Sequence, residues 1–208
     1  MHRTIRLGIR PSPLALKQAQ EAIDLLKRIY PGATFSIRKI FTLGDKDKLT
    51  PISDIEGSDF FTREIDRTLL NGDIDFGVHS SKDLPDILAL GLKVAFETPS
   101  VSPYDALVSK GNLKFKDLPE GYNIGVSSRR RKNQIRNLRN DLKIVDIRGN
   151  IEERLSLLDT GRIDALIVAQ AALIRLGLEY RASEILALDI FKTHPKQGSL
   201  SIVARDKT

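Results

Sequence analysis

The sequence predicts an α/β protein of two similar lobes that are joined by a hinge, with a ligand cleft between them. Two observations indicate this fold class. Short β-branched runs alternate with longer segments of helical period, which is typical of β-α-β units. Two prolines, Pro99 and Pro103, interrupt the alternation near the middle of the chain, and they mark a break between one series of elements and the next.

The first series begins at the N-terminus with a strand and a long helix. Ser12 is suited to the N-cap of that helix and Pro13 to its first turn, and the apolar residues that follow recur at three- and four-residue intervals. The predicted strands of this series are residues 4–9, 34–41, 74–79 and 92–97, and the predicted helices are residues 12–30 and 59–70.

The second series follows the two prolines and repeats the alternation. We expect residues 98–103 to form a hinge segment. The predicted strands are residues 106–108, 123–126, 143–147 and 165–169, with a terminal strand at 199–204, and the predicted helices are residues 128–138, 151–160 and 171–176.

Composition limits the class of protein. Hydrophobic residues make up 41% and charged residues 29% of the 208 residues, which is typical of a soluble globular protein. No run approaches the roughly 18 apolar residues of a membrane span, and the first ten residues lack the apolar core of a secretory signal. Cysteine is absent, which excludes disulfides, thiolate metal sites and cysteine nucleophiles. We therefore expect a cytoplasmic protein without a membrane partner.

The positive charge is concentrated in one stretch. Residues 127–150 contain eight basic side chains and two acidic ones, and the net charge of the whole chain is +6. Such a field favours an anionic partner, which could be a nucleic acid, a phosphate or a polycarboxylate. The alternative is a solvated helix face with no ligand. The basic residues are Arg129, Arg130, Arg131, Lys132, Arg136, Arg139, Lys143 and Arg148.

Five polar clusters follow predicted strands, where ligands of α/β sheets bind. The adjoining helix N-termini would attract carboxylates or phosphates. The sequence has no phosphate-binding loop or GxSxG motif, and its three separated histidines do not indicate a metal site. The clusters are Arg10-Pro11-Ser12, Thr42-Leu43-Gly44-Asp45-Lys46, His79-Ser80-Ser81-Lys82-Asp83, Ser127-Ser128-Arg129-Arg130-Arg131 and Arg148-Gly149-Asn150.

Each cluster has a purely structural alternative. Ser12 can serve only as a helix cap, and the Arg148 segment can be a turn with an exposed arginine. His79 on a strand is more often a hydrogen-bonded structural residue than a catalyst. Lys82 and Asp83 can form a surface ion pair worth less than about 1 kcal/mol. Five such clusters at equivalent strand ends together favour a ligand site.

The clusters carry a resemblance to a known family. Their motifs occur in the same order as in porphobilinogen deaminase, also called hydroxymethylbilane synthase, of tetrapyrrole biosynthesis, and the chain resembles this family. The matching motifs are Arg10-x-Ser12-Pro-Leu-Ala-Leu-x-Gln18, Thr42-x-Gly-Asp45, Val78-His-Ser-x-Lys-Asp-x-Pro85, Asp105-Ala-Leu107, Gly125-x-Ser-Ser-x-Arg-Arg131, Arg148-Gly-Asn150, Asp164-Ala165, Arg175-Leu-Gly-Leu178 and Gln197-Gly198.

The resemblance implies a more specific architecture. The family's first two domains are periplasmic-binding-protein-like lobes with a hinge and an inter-lobe cleft. By this resemblance, residues 1–98 plus 193–208 form the first lobe and residues 103–192 form the second. The family's third domain, which carries the cofactor cysteine, is expected to be absent from this chain.

The resemblance also implies an activity and a set of site residues. The family enzyme joins four porphobilinogen units head to tail and releases ammonia at each step. By resemblance, Asp83 is the catalytic carboxylate. The implied substrate- and cofactor-binding residues are Arg10, Ser12, Asp45, Ser80, Lys82, Ser127, Ser128, Arg130, Arg131, Arg148, Gly149 and Gln197.

Two departures bear on that activity. The family holds a dipyrromethane primer through a cysteine thioether, and this chain has no cysteine for covalent attachment. In the basic loop before the second helix, Ser58 replaces a substrate-binding lysine of the family, and Asp59 adds a negative charge.

Three functional hypotheses follow. The first is an enzyme that condenses porphobilinogen into hydroxymethylbilane, with its primer bound non-covalently or by a separate chain that supplies the missing domain. The second is a catalytically inactive homologue that binds anionic pyrroles as a carrier, sensor or partner subunit. The third is nucleic-acid binding by residues 127–150, which we rank last because tryptophan is absent and no nucleic-acid motif accompanies the charge.

Overall fold

The protein folds into two α/β units, each built around a five-stranded mixed sheet. The computed structural model describes residues 3–47, 50 and 59–206. Among the described residues, the first unit comprises residues 3–47, 59–100 and 199–206, and the second comprises residues 50 and 101–198. Residues 193–198, which the sequence prediction assigned to the first lobe, group with the second unit.

The first sheet has the order β2-β1-β3-β10-β4. The first three of these strands are parallel, and β10 runs antiparallel to both β3 and β4. Consequently, the carboxyl ends of β1, β2 and β3 lie at one edge of the sheet. The strands are β1 (Thr4–Ile9), β2 (Thr34–Lys39), β3 (Phe76–Ser80), β4 (Leu92–Glu97) and β10 (Leu200–Arg205).

Helices cover both faces of the first sheet. Helix α1 (Pro13–Ile29) packs its buried stripe, which includes Ala19, Ile23 and Leu26, onto β1 and β3. Helix α3 (Arg63–Leu70) packs Ile65 and Leu69 onto the opposite face. A single helical turn, α2 (Leu43–Lys46), follows β2.

The second sheet repeats this topology with the order β7-β6-β8-β5-β9. Strands β6, β7 and β8 are parallel, whereas β5 runs antiparallel to β8 and β9. The strands are β5 (Asp105–Ser109), β6 (Asn123–Val126), β7 (Lys143–Asp146), β8 (Ala165–Ala169) and β9 (Glu184–Leu186). The helices are α4 (Arg129–Leu138), α5 (Ile151–Asp159) and α6 (Gln170–Leu176).

Most predicted elements agree with the structure, and three differ. The predicted helix at 59–70 divides into a 3₁₀ turn, Asp59–Phe61, and α3, because Thr62 departs from helical geometry at the N-cap position. Helix α2 and strand β9 were not predicted, since they have only four and three residues and a periodic pattern needs a longer window. Within the described ranges, no helix has both the length and the apolar character required to cross a bilayer.

Candidate functional site

The predicted polar clusters lie at the carboxyl edges of the two sheets, each within its own unit. In the first unit, clusters follow the parallel strands β1, β2 and β3. In the second unit, clusters follow the parallel strands β6 and β7. The topology of each sheet therefore brings together residues that are distant in sequence, as the strand-end argument predicts.

Arg10 is held in place by Asp45 and an aromatic ring. Its Nε and Nη2 atoms donate to Oδ1 of Asp45 at 3.0 and 2.5 Å, and its guanidinium lies 4.5 Å from the centroid of the Phe61 ring. The Arg10 side chain keeps 31% of its surface exposed. A cation that is oriented and partly solvated in this way can bind an anionic ligand.

Asp45 is a structural partner of Arg10 and also caps α2. Its Oδ2 accepts hydrogen bonds from the backbone N–H and the hydroxyl of Thr42 at 3.0 and 2.8 Å. Burial acts to raise the pKa of Asp45, but the hydrogen bond and charge of Arg10, together with the Thr42 bonds, outweigh it and lower the pKa. Asp45 therefore stays ionised and keeps Arg10 oriented.

Asp83 lies in a 3₁₀ turn, Ser81–Asp83, that directly follows β3. Its side chain is partly exposed, and its carboxylate has no hydrogen-bond or ion-pair partner among the described residues. Lys82 adjoins it in the same turn. Immediately before the turn, Ser80 accepts a hydrogen bond from Nε2 of Gln18 in α1 at 2.8 Å. The turn thus presents a carboxylate at the same edge as Arg10.

His79 is buried at the end of β3 and does not reach solvent. It is 5% exposed, and burial, with a smaller contribution from the charge of Arg10, lowers its pKa to about 4. The ring is therefore neutral at pH 7. These properties favour the structural interpretation of His79 over a catalytic one.

In the second unit, Ser127 and Ser128 connect β6 to α4. Ser128 is the N-cap of α4 and its Oγ accepts from the backbone N–H of Arg131 at 3.3 Å. Ser127 is buried and accepts a hydrogen bond from Nη1 of Arg154 at 3.0 Å. Ser12 caps α1 in the same way in the first unit, accepting from the backbone N–H of Ala15 at 3.1 Å.

Arg131 and Gln197 are engaged in a buried network. Arg131 donates from Nε and Nη2 to the two carboxylate oxygens of Asp105 at 2.8 and 2.7 Å, and Nε2 of Gln197 donates to Oδ1 of Asp105 at 2.9 Å. Arg131 is 7% exposed and Gln197 is 2% exposed. Both residues, predicted to bind substrate or cofactor, therefore hold β5 in place and present little polar surface to solvent.

Arg130 and Arg148 have different surroundings. Arg130 lies on the exposed side of α4, where its Nη1 donates to the carbonyl of Thr193 at 2.7 Å. Arg148 follows β7, and its Nε and Nη1 atoms are buried. Only part of the Arg148 guanidinium is therefore accessible to a ligand from solvent.

Gly149 has a backbone that only glycine adopts readily. Its φ angle is +98°, and an added Cβ would lie 2.4 Å from Oε2 of Glu153. Glu153 in turn accepts from the backbone N–H of Asn150 in the capping box of α5. Gly149 therefore sets the tight entry into α5.

Sequence reasoning missed two residues that support the site. Arg154 donates to the carbonyl of Gly149 at 2.9 Å as well as to Ser127, and its place four residues after the Asn150 N-cap was the only available signal. Phe61 lies 51 residues from Arg10 in the chain, and no local pattern links the two. Ser58 lies outside the described residues.

Part of the positive charge of the basic stretch is paired within the folded protein. Three of its basic side chains pair with acidic ones: Arg131 with Asp105, Lys132 with Asp146, and Arg139 with Asp141. Part of the positive charge therefore has a structural role. Among the described residues, no group of three or more potential metal ligands lies together.

Comparison with protein families gives a match over nearly the whole chain. The family model described as porphobilinogen deaminase, dipyromethane cofactor binding domain, matches residues 5–208. Porphobilinogen deaminase of Geotalea uraniireducens (strain Rf4) is 41% identical over 203 residues, which cover 98% of this chain and 64% of that protein. The enzyme of Maridesulfovibrio salexigens is 42% identical over 203 residues, covering 98% and 66%. The chain thus spans about two thirds of the length of these curated relatives.

Solved structures give a match at the level of the fold. The methionine binding protein MetQ has a TM-score of 0.59 at 13% identity, covering 98% of this chain and 83% of that one. A putative methionine-binding lipoprotein from Bacillus subtilis has a TM-score of 0.55 at 14% identity, covering 99% and 84%. At these identities the likeness concerns the fold alone, which is that of periplasmic-type binding proteins.

Proposed function

The chain belongs to the porphobilinogen deaminase family of tetrapyrrole biosynthesis, and from this membership we propose that it condenses porphobilinogen into hydroxymethylbilane with release of ammonia. Porphobilinogen carries two carboxylates, so a growing chain of pyrroles accumulates negative charge. In this proposal the first unit supplies the catalytic carboxylate, and each unit has groups suited to binding carboxylates.

The observation that carries the proposal is the contrast between Asp83 and the other site carboxylates. Asp45 and Asp105 are each bound by an arginine, whereas the carboxylate of Asp83 has no such partner within the described ranges. Its partly exposed position beside Lys82, at the edge that holds Arg10, leaves this carboxylate available to a ligand.

The chemistry assigned to Asp83 is electrostatic. Loss of ammonia from the aminomethyl group of porphobilinogen leaves a cationic azafulvene. A fixed carboxylate stabilises that cation as the charge develops, and it can accept a hydrogen bond from the pyrrole N–H. No acid or base other than Asp83 is assigned to this step.

Substrate carboxylates would be bound by cations and by hydroxyls at helix N-termini. Arg10, Arg130 and Lys82 are partly or fully exposed cations of the strand-end clusters. Ser12 and Ser128 lie at the N-termini of α1 and α4, where free backbone N–H groups favour anions. These groups therefore suit the carboxylates of a pyrrole oligomer.

The dipyrromethane group of the family does not fit this chain as a covalent cofactor. A thioether needs a cysteine, and the 208 residues contain none. The same serines and arginines suit non-covalent binding of an anionic dipyrrole. A primer that is bound non-covalently, or carried by a separate polypeptide, is therefore part of the proposal.

A test compares the wild-type protein with Asp83→Asn during incubation with porphobilinogen. We expect the wild type to consume the pyrrole and produce uroporphyrin colour, and the variant to lose at least about 100-fold in rate, because electrostatic groups of this kind contribute about that much. Asp86→Asn is the matched control, since Asp86 is an exposed carboxylate beyond the turn, and it should leave the rate unchanged. Equal rates for Asp83→Asn and the wild type would remove Asp83 from the mechanism.

A second candidate function requires no thioether, and none can form within these 208 residues. In this alternative, the protein binds anionic pyrroles without turnover, as a carrier, sensor or partner subunit. Calorimetric binding of porphobilinogen without its consumption would support the alternative and refute the enzyme. Intact mass spectrometry after incubation would show whether any pyrrole becomes covalently attached.

A further inference from the structure

The turn that carries Asp83 is attached to β10 through Ser81. The backbone N–H of Ser81 donates to the carbonyl of Ser199 at 3.0 Å, and the hydroxyl of Ser201 donates to Oγ of Ser81 at 2.8 Å. The carbonyl of Ser81 accepts from the backbone N–H of Leu84 at 3.4 Å, which closes the turn. Ser81 therefore connects the turn to the sheet with both its backbone and its side chain.

The hydroxyl groups of Ser81 and Ser201 are both buried. Ser201 is 0% exposed and Ser81 is 2% exposed. Ser201 lies opposite His79 in the antiparallel pairing of β10 with β3. Ser81 follows His79 by two residues, so the side chains of Ser81 and Ser201 face the same side of the sheet. A hydrogen bond in such surroundings has little competition from solvent.

We propose that Ser201 is a positioning residue for Asp83, acting through the hydroxyl of Ser81; this inference rests on the proposed function. The catalytic contribution of a carboxylate depends on its being fixed before the charge develops. Small displacements of a reacting group carry large losses of rate. Without the Ser201 hydroxyl, the turn keeps its backbone bond to Ser199 but loses its side-chain attachment.

A matched serine pair in the second unit separates positioning from simple stabilisation. Ser109 of β5 donates from Oγ to Oγ of Ser183 at 2.9 Å, and both residues are buried. This serine pair has a similar length, and neither residue belongs to a strand-end cluster. Oγ of Ser183 also accepts from the backbone N–H of Ser109 at 3.0 Å, so its removal breaks more than one hydrogen bond. Ser183→Ala therefore controls for the loss of a buried hydroxyl pair.

The first measurement is steady-state kinetics with porphobilinogen for the wild type, Ser201→Ala, Ser183→Ala and the double variant Ser81→Ala/Ser201→Ala. We expect Ser201→Ala to lower kcat about tenfold with KM within about twofold, and Ser183→Ala to leave kcat unchanged. The double variant should match Ser201→Ala, because two groups that act through one bond are not additive. An unchanged kcat in Ser201→Ala overturns the inference.

The second measurement is hydrogen–deuterium exchange, which needs no turnover. We expect exchange at residues 82–84 to accelerate about tenfold in Ser201→Ala beyond any change elsewhere, and not to do so in Ser183→Ala. Uniform acceleration across the chain would mean a merely structural bond and would overturn the inference. If the wild type does not consume porphobilinogen, the proposed function is wrong. Local acceleration of exchange at residues 82–84 in Ser201→Ala then shows by itself whether Ser201 fixes the turn that carries Asp83.

Discussion

The guanidinium of Arg131 and the carboxylate of Asp105 form a two-point ion pair inside the second unit, with N–O distances of 2.7 and 2.8 Å. The side chains are 9% and 3% exposed. Arg131 lies in the first turn of α4 and Asp105 begins β5. The pair thus joins the helix that carries Arg130 to strand β5.

Asp105→Asn should strongly destabilise the protein. The amide cannot neutralise Arg131, and breaking a buried pair from one side typically costs about 3–5 kcal/mol. Asp159→Asn is the control, because Asp159 also binds an arginine, Arg181, but is 56% exposed, and an exposed pair contributes under about 1 kcal/mol. Urea unfolding monitored by circular dichroism measures both. A similar loss in the two variants would contradict the buried, charged character of the Arg131–Asp105 pair.

The fold was largely predictable because its pattern is local. Strands β1, β4, β6 and β8 have the predicted bounds, since each is a short β-branched run limited by turn residues. The N-terminal boundary of α1 was equally predictable, because Ser12 and Pro13 form a local signal for the start of a helix. The short elements α2 and β9 depend on tertiary context and were therefore missed.

The positions of the polar clusters at strand ends were predictable, but the partners of their side chains were not. Strand ends indicated where the clusters lie, and the motifs indicated which residue types matter. Which arginines are available for a ligand depends on partners far along the chain: Arg131 pairs with a residue 26 positions away, and Arg10 with one 35 positions away. No local sequence pattern indicates which residues so far apart along the chain will pair.

Ser128→Asp should separate helix capping from ligand binding. Aspartate is as good an N-cap as serine and complements the helix dipole, so the free energy of unfolding should stay within about 0.5 kcal/mol of the wild type. The added negative charge should weaken binding of porphobilinogen by at least about tenfold through like-charge repulsion. Calorimetry and urea unfolding test the two parts, and unchanged affinity would place the ligand away from α4.

Ser128→Gly is the matched variant for the hydroxyl itself. Glycine caps helices nearly as well as serine, with a loss of only a few tenths of a kcal/mol, but it offers no hydroxyl. A loss of affinity smaller than that of Ser128→Asp is expected. If Ser128→Gly binds as tightly as the wild type, the serine contributes a cap and nothing more.

Gly149→Ala should cost more stability than alanine at another left-handed glycine. The new Cβ would meet both Oε2 and Cβ of Glu153, in addition to the left-handed penalty of about 1–2 kcal/mol. Gly121→Ala is the control, because Gly121 has a φ of +76° with no heavy atom within 4 Å of an added Cβ. Thermal unfolding should rank Gly149→Ala below Gly121→Ala. The reverse order would mean that Glu153 moves aside without cost.

His79 and Asp66 are buried in the first unit, and their pKa values are displaced in opposite directions. Burial lowers the pKa of His79 to about 4. Burial also raises the pKa of Asp66 to about 6, with a Thr62 hydrogen bond opposing the shift and the charge of Asp59 adding to it. Neither Nε2 of His79 nor Oδ1 of Asp66 has a hydrogen-bond partner in the described part of the chain.

These shifts have opposite effects on the pH dependence of stability. Between pH 4 and 6.5 the unfolded chain binds a proton at His79 that the folded protein does not, so this contribution to stability is lost as pH falls. Between about pH 4 and 6 the folded protein keeps a proton at Asp66 that the unfolded chain has released, so this contribution is lost as pH rises. From these two residues together, we expect little net change across the window.

Single substitutions should therefore reveal opposite slopes. In Asp66→Asn only the His79 contribution remains, and the free energy of unfolding should rise by about 3 kcal/mol from pH 4 to 6.5. In His79→Gln only the Asp66 contribution remains, and the free energy should fall by about 3 kcal/mol from pH 4 to 6. Urea unfolding at half-unit pH steps measures both slopes against the wild type. The two slopes have opposite signs only if burial disfavours both charged side chains. If the free energy of unfolding changes with pH in the same way in both variants, the two side chains are solvated.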